Sequence, residues 1–86
     1  MDVTSEKAEH LHIIHYTVDG EAQETTEREL TPRQIIAKAQ LNPDERYLVE
    51  VKGRHQVSYQ NQPNDPIHLH DHQVFVTVFT GTVPVS

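Results

Sequence analysis

The sequence predicts an α+β domain, a mixed sheet of four to five strands with one helix packed across it. Three observations predict it. One stretch, 30–41, carries a full set of helix-start signals. Several short runs rich in β-branched and aromatic residues surround it. The last of these runs, 74–79, is apolar at nearly every position. A chain of 86 residues is one domain, and at this size it buries roughly 60% of its unfolded surface. That leaves no room for a full core and a deep catalytic pocket together.

The helix reads Leu-Thr-Pro-Arg-Gln-Ile-Ile-Ala-Lys-Ala-Gln-Leu. Thr31 fits the N-cap, where its hydroxyl accepts from an orphan backbone N–H, and Pro32 at the first helical position gives up nothing by lacking an N–H. Gln34 completes a Thr-x-x-Gln capping box, and Leu30 and Ile35 are placed to close as a hydrophobic staple. Ile35, Ile36, Ala39 and Leu41 form the expected buried side; Arg33 and Lys38 are expected to face water. Pro43 disfavours helical geometry before it, so the helix stops by Asn42. Gln40 is expected at or next to the left-handed position that ends the helix. About ten residues is too short to be helical alone in water, so the helix must lie on a sheet.

The strands are taken in order. Residues 11–18 form the first, with imperfect alternation that leaves open whether Ile13 or Ile14 faces the core. Asp19-Gly20 marks a tight hairpin turn. The return strand, 21–28, is polar and is expected at an edge with one wet face. After the helix, 42–46 is a polar loop and 47–51 the clearest strand. Residues 52–54 turn the chain, and 56–59 form a short second arm. A loop rich in Asn, Gln and Pro spans 60–66, and 67–69 is a brief apolar anchor. The run 74–79 is expected to be a central strand buried on both faces. Residues 1–10 read as a disordered leader, 11–79 as the domain and 80–86 as an extended tail. Hairpin, helix, two short strands, loop and a final central strand, the last beside and parallel to the first, is the β-grasp order.

Several stretches are similar to the bacterial multiubiquitin-type domains. They are Val18-Asp19-Gly20, Leu30-Thr31-Pro32-Arg33-Gln34-Ile35-Ile36, Leu41-Asn42-Pro43-Asp44-Glu45-Arg46-Tyr47, Ile67-His68-Leu69-His70 and Phe75. The resemblance covers about residues 12–80 and rests mainly on the helix entry and the Leu-Asn-Pro-Asp-Glu-Arg-Tyr loop. It implies a ubiquitin-like modifier encoded beside E1-like, E2-like and JAB-type peptidase proteins, in operons linked to phage defence. Its C-terminal carboxylate would be adenylated by the E1-like enzyme, passed to the E2-like enzyme and joined to a target protein. The conjugation tail implied is Gly81, Thr82, Val83, Pro84, Val85 and Ser86. Two positions depart from the family pattern. Gln40 stands where a glycine is common at the helix end, and the chain ends Val83-Pro84-Val85-Ser86 in place of Gly-Gly. A precursor, a piece cut from a tandem protein and a relative with another terminal residue all fit that ending.

Composition narrows the chemistry. There is no cysteine, hence no disulfide framework, thiol nucleophile or thiolate metal site. A net charge of −6 argues against a nucleic-acid surface, which needs clustered Lys and Arg. No apolar run approaches a membrane span and no signal-peptide pattern is visible, so a cytoplasmic protein is expected. Seven histidines would move the charge from −6 to +1 if all were protonated. His68, His70 and His72 form His-x-His-x-His, which on a straight strand shares one face and can hold a metal ion. Asp71 and Gln73 suggest a turn there, so solvated histidines are the expected state and a metal site the alternative. His10, His12 and His15 are expected to be solvated too. Asp71 and His72 with Ser58 or Ser86 do not define a triad, which is a matter of geometry. Gly20 and Gly53 are isolated turn glycines, not a phosphate loop. No enzymatic activity and no cofactor is expected. A non-covalent β-grasp binding or assembly module is the alternative to the modifier.

Overall fold

The computed structural model describes residues 12–81. The expected leader, 1–10, and tail residues Thr82 to Ser86 lie outside the described residues. Seven strands and one helix follow in order: β1 Ile14–Val18, β2 Glu21–Thr25, β3 Glu29–Leu30, α1 Pro32–Lys38, β4 Arg46–Lys52, β5 His55–Ser58, β6 Ile67–His68 and β7 Gln73–Phe79. Five strands form one mixed sheet in the order β2-β1-β7-β4-β5, with β7 parallel to β1 and antiparallel to β4. β3 and β6 make a separate two-stranded ladder. With α1 across one face, this is a β-grasp.

The turn residues set the register. Asp19 and Gly20 both hold positive φ, 53° and 83°, the pair of angles that a two-residue hairpin turn needs to match strand twist. Val18 then sits opposite Glu21 and Ile14 opposite Thr25. That register decides the open point in β1: Ile14 is buried and Ile13 is 47% exposed. The return strand is shorter than expected. The Thr25 hydroxyl accepts from the Glu27 N–H at 3.1 Å, the ladder stops, and the chain restarts as β3 against β6. Expected residues 21–28 are thus one edge strand, a turn and the entry to a second ladder.

α1 begins as its sequence dictates. Thr31 Oγ1 accepts from the Gln34 N–H, and Gln34 Oε1 accepts from the Thr31 N–H. Leu30 and Ile35 are both buried in the core. The helix buries Pro32, Ile35 and Ile36, and the two isoleucines join Tyr16, Val18, Leu48 and Phe75 in the core. Each such side chain contributes about 2 kcal/mol by leaving water. Tyr16 and Phe75 meet edge to face, with centroids 5.9 Å apart. Ile67 and Leu69 close the core from β6 and the residues after it.

Two expectations about orientation are corrected. β7 lies centrally, between β1 and β4, but only one of its faces is buried. Phe75 is fully buried, while Val74 and Val78 are 42% and 38% exposed. A single short helix covers one side of a five-stranded sheet, and nothing among the described residues covers the other. Arg33 does not simply face water: it is half-buried, and its guanidinium reaches Asp44 Oδ1 at 2.7 Å and the Pro43 carbonyl at 3.5 Å.

Candidate functional site

The candidate site combines the open sheet face with the point where β7 releases the chain. On the open face, cross-strand pairs bring Tyr47 beside Val78, Val49 beside Val76 and Val51 beside Val74. Strand alternation puts these on the side away from the helix, because Leu48, Glu50 and Phe75 are buried on the helix side. The result is an apolar stripe two strands wide, exposed at Val74 and Val78 and closed over at Val49, which is only 7% exposed. Thr17, opposite Val74 on β1, and Ala22, opposite Thr17 on β2, continue it toward the hairpin.

The release point is tied down residue by residue. β7 pairs with β4 out to Phe79 opposite Arg46. The Thr80 N–H then donates to the Glu45 carbonyl at 2.7 Å. Arg46 lies over the Phe79 ring, 5.5 Å from its centroid, and donates to Thr77 Oγ1 at 2.9 Å. Asp19 completes the chain, accepting from the Thr77 hydroxyl at 2.6 Å and from the Thr77 N–H at 2.8 Å. The Asp19 carboxylate thus serves a β7 N–H just past the end of β1, where strand pairing stops. Gly81 lies against Phe79 and Glu45; a Cβ there would stand 2.8 Å from the Phe79 ring. Of the expected conjugation tail, Gly81 is therefore packed on the body. Thr82, Val83, Pro84, Val85 and Ser86 lie outside the described residues.

Beside the release point runs a cleft of about 250 Å³ lined by Pro32, Arg33, Pro43, Tyr47, Tyr59 and Pro63. The Arg33 N–H donates to the Pro63 carbonyl at 3.2 Å, which draws the 60–66 loop onto the helix start and forms one wall.

The histidines are dispersed. His68 reaches Glu29 Oε2 at 3.3 Å across the β3–β6 ladder and is largely exposed. The His70 N–H donates to Gln73 Oε1 at 2.8 Å. His72 has φ 73° and its N–H donates to the His15 carbonyl at 2.8 Å. The segment turns here and does not run straight, so the alternation that would align three imidazoles is lost. Among the described residues no three His, Asp or Glu side chains converge as metal ligands.

Two polar features escaped the sequence reading. Asp71 joins the start of β1 to the β6–β7 turn, accepting from the His15 N–H at 2.9 Å and lying 3.0 Å from His12 Nε2. The His15 N–H, then the His12 side chain, hold its carboxyl below the usual aspartate range. Glu50 and Gln73 are buried on the helix side of the sheet. Gln73 Nε2 donates to Glu50 Oε2 at 3.2 Å and to the His68 carbonyl at 3.3 Å, and Tyr59 OH donates to Glu50 Oε1 at 3.3 Å. Burial, then the Glu50 charge, pushes the Tyr59 phenol up. The only sequence signal was a charged residue inside the most regular strand.

No family model, curated protein or solved structure matches this chain. Among the described residues no helix is long and apolar enough to cross a membrane.

Proposed function

We propose that this chain is a ubiquitin-like protein modifier of a bacterial conjugation pathway, activated at its C-terminal carboxylate by an E1-like enzyme. The observation that carries the reading is the place of β7. The last strand is central, parallel to β1, and is anchored through Thr80 to Glu45. The segment that follows therefore starts from a rigid body, beside an open apolar face suited to contact with an enzyme. The motifs shared with multiubiquitin-type domains, at the helix entry and the 41–47 loop, supply the partner set: an E1-like adenylating enzyme, an E2-like conjugating enzyme, a JAB-type peptidase and a target protein. A cytoplasmic setting and a role in phage defence belong to the same proposal, which requires no nucleic acid, membrane, cofactor or catalysis by the chain itself.

Reach is the physical constraint. From Gly81 to Ser86 an extended chain covers about 20 Å, at about 3.3 Å per residue, enough to enter an adenylating cleft. A form ending at Gly81 ends at a residue that lies against Phe79 and Glu45, with no length of chain to reach the cleft. The test is ATP–pyrophosphate exchange by the E1-like enzyme, comparing the full chain with one ending at Gly81. Exchange by the full chain alone is the expected result. Better exchange by the Gly81 form would make Thr82–Ser86 a removable segment. Exchange by neither, with the enzyme active on another modifier, would favour the second reading, a non-covalent binding or assembly module. The apolar stripe on β4 and β7, exposed at Val74 and Val78, is the observation in favour of that one.

A further inference from the structure

Among the described residues the two edge strands of the sheet, β2 and β5, each have a partner on one side only, and these edges fit one another. At one edge, the His15 carbonyl and the Asp19 N–H point to β7, so the even residues of β1 bond to β2. Their partners are Glu21, Gln23 and Thr25, which leaves the N–H and C=O of Ala22 and Glu24 pointing outward. At the other edge, the Tyr59 N–H donates to the Leu48 carbonyl. Residues 48, 50 and 52 therefore bond to β5, and Gln56 and Ser58 point their backbone groups outward. All four outward-pointing residues have side chains on the face away from the helix. Strand direction agrees as well. Across the order β2-β1-β7-β4-β5, β5 runs opposite to β2. A second copy laid beside the first in the same orientation thus presents an antiparallel edge of matching phase, with its helix on the same side.

Charge selects the same pairing. Residues 21–27 carry Glu21, Glu24 and Glu27 and no basic residue. The stretch 51–64 carries Lys52, Arg54 and His55 and no acidic residue. Two β2 edges would set glutamates against glutamates, and two β5 edges would set cations against cations; β2 against β5 sets opposite charges together.

We propose that copies of this chain associate edge to edge, with β5 of one copy pairing antiparallel to β2 of the next and the five-stranded sheets running on as one. One register places Gln56 beside Glu24 and Ser58 beside Ala22 of the next copy. The contact is heterologous, so it builds runs of copies and not a closed dimer. It is independent of the modifier reading, which the exchange assay tests separately.

The test is sedimentation velocity of the full chain from micromolar to millimolar concentration, at low and high salt. The expected result is an average mass that climbs past a dimer with concentration and falls as salt screens the edges. Gln56→Pro removes an N–H that points away from β4, so it spares the internal ladder and should weaken association about tenfold or more. Glu24→Lys and Arg54→Glu should each weaken association alone, while an equimolar mixture of the two recovers it, because each then meets an opposite charge. This mixture keeps the idea testable if the proline variant does not fold. A monomer at every concentration overturns it. So does a dimer that survives these edge changes but is lost in Val74→Asp, since that would place the contact on the open face.

Discussion

Gln40 ends the helix at φ 65°, a conformation most side chains avoid because Cβ crowds the backbone. It is held there by two bonds of a Schellman motif: the Gln40 N–H donates to Ala37 at 2.9 Å and the Leu41 N–H to Ile36 at 3.2 Å. Gln40→Gly should relieve the crowding and raise stability by a few tenths to about 1 kcal/mol, net of the extra freedom glycine has when unfolded. A denaturation curve showing a clear loss would mean that the Gln40 side chain makes a contact worth more than the strain. Asp71 gives a second residue-scale expectation. Its carboxyl is held below the ordinary 3.8, first by the His15 N–H and then by His12. A depressed folded value stabilises the native state above the ordinary value, and that stability is lost as pH falls through the folded one. Asp71→Asn should therefore be less stable than the wild type near neutrality, with the gap closing in acid. Melting curves at a series of pH values check this; a gap of constant size would show that ionisation of Asp71 is not what holds β1 to the turn.

At the scale of elements, β4 and β7 are joined by more than their ladder. Gln73, at the first position of β7, serves Glu50 on β4, the His68 carbonyl at the end of β6 and the His70 N–H. One buried amide thereby links the main sheet to the segment that leads into it. Gln73→Leu would take the partner from Glu50 Oε2 and from two backbone groups, leaving Glu50 only its bond from Tyr59, and should cost about 3 kcal/mol. Glu50→Gln keeps an oxygen for Gln73 and a group for Tyr59, and should cost about 1 kcal/mol or less. Chemical denaturation of both variants checks the contrast. Equal losses would mean that the network needs the charge itself and not only its bonding capacity. Alternation alone did not reveal this network, because a period of two tells which residues share a face and not which face is buried.

For the whole molecule, charge is the property most open to measurement. The net charge of −6 at neutrality falls to zero at a sequence isoelectric point of about 5.5. Solubility should reach a minimum at about pH 5.5–6. A flat profile from neutrality into that range would show that net charge does not govern association.

What the sequence determined by itself was local. The Thr31 cap with Pro32 and Gln34, the Asp19-Gly20 turn and the left-handed Gln40 all follow from contacts within a few residues, and all are found in the structure. The β-grasp order was legible because an apolar final run needs neighbours on both edges, and only a place between the two hairpins supplies them. Tertiary structure decided the rest. It chose Ile14 over Ile13 through the register of one hairpin. It left Val74 and Val78 exposed because a single short helix covers only one face. It put Glu50 and Gln73 inside, drew Arg33 to Asp44, and turned the histidine segment so that no three imidazoles align. Each of these depends on which residues distant in the chain come to lie together, and side-chain spacing along the chain carries no record of that.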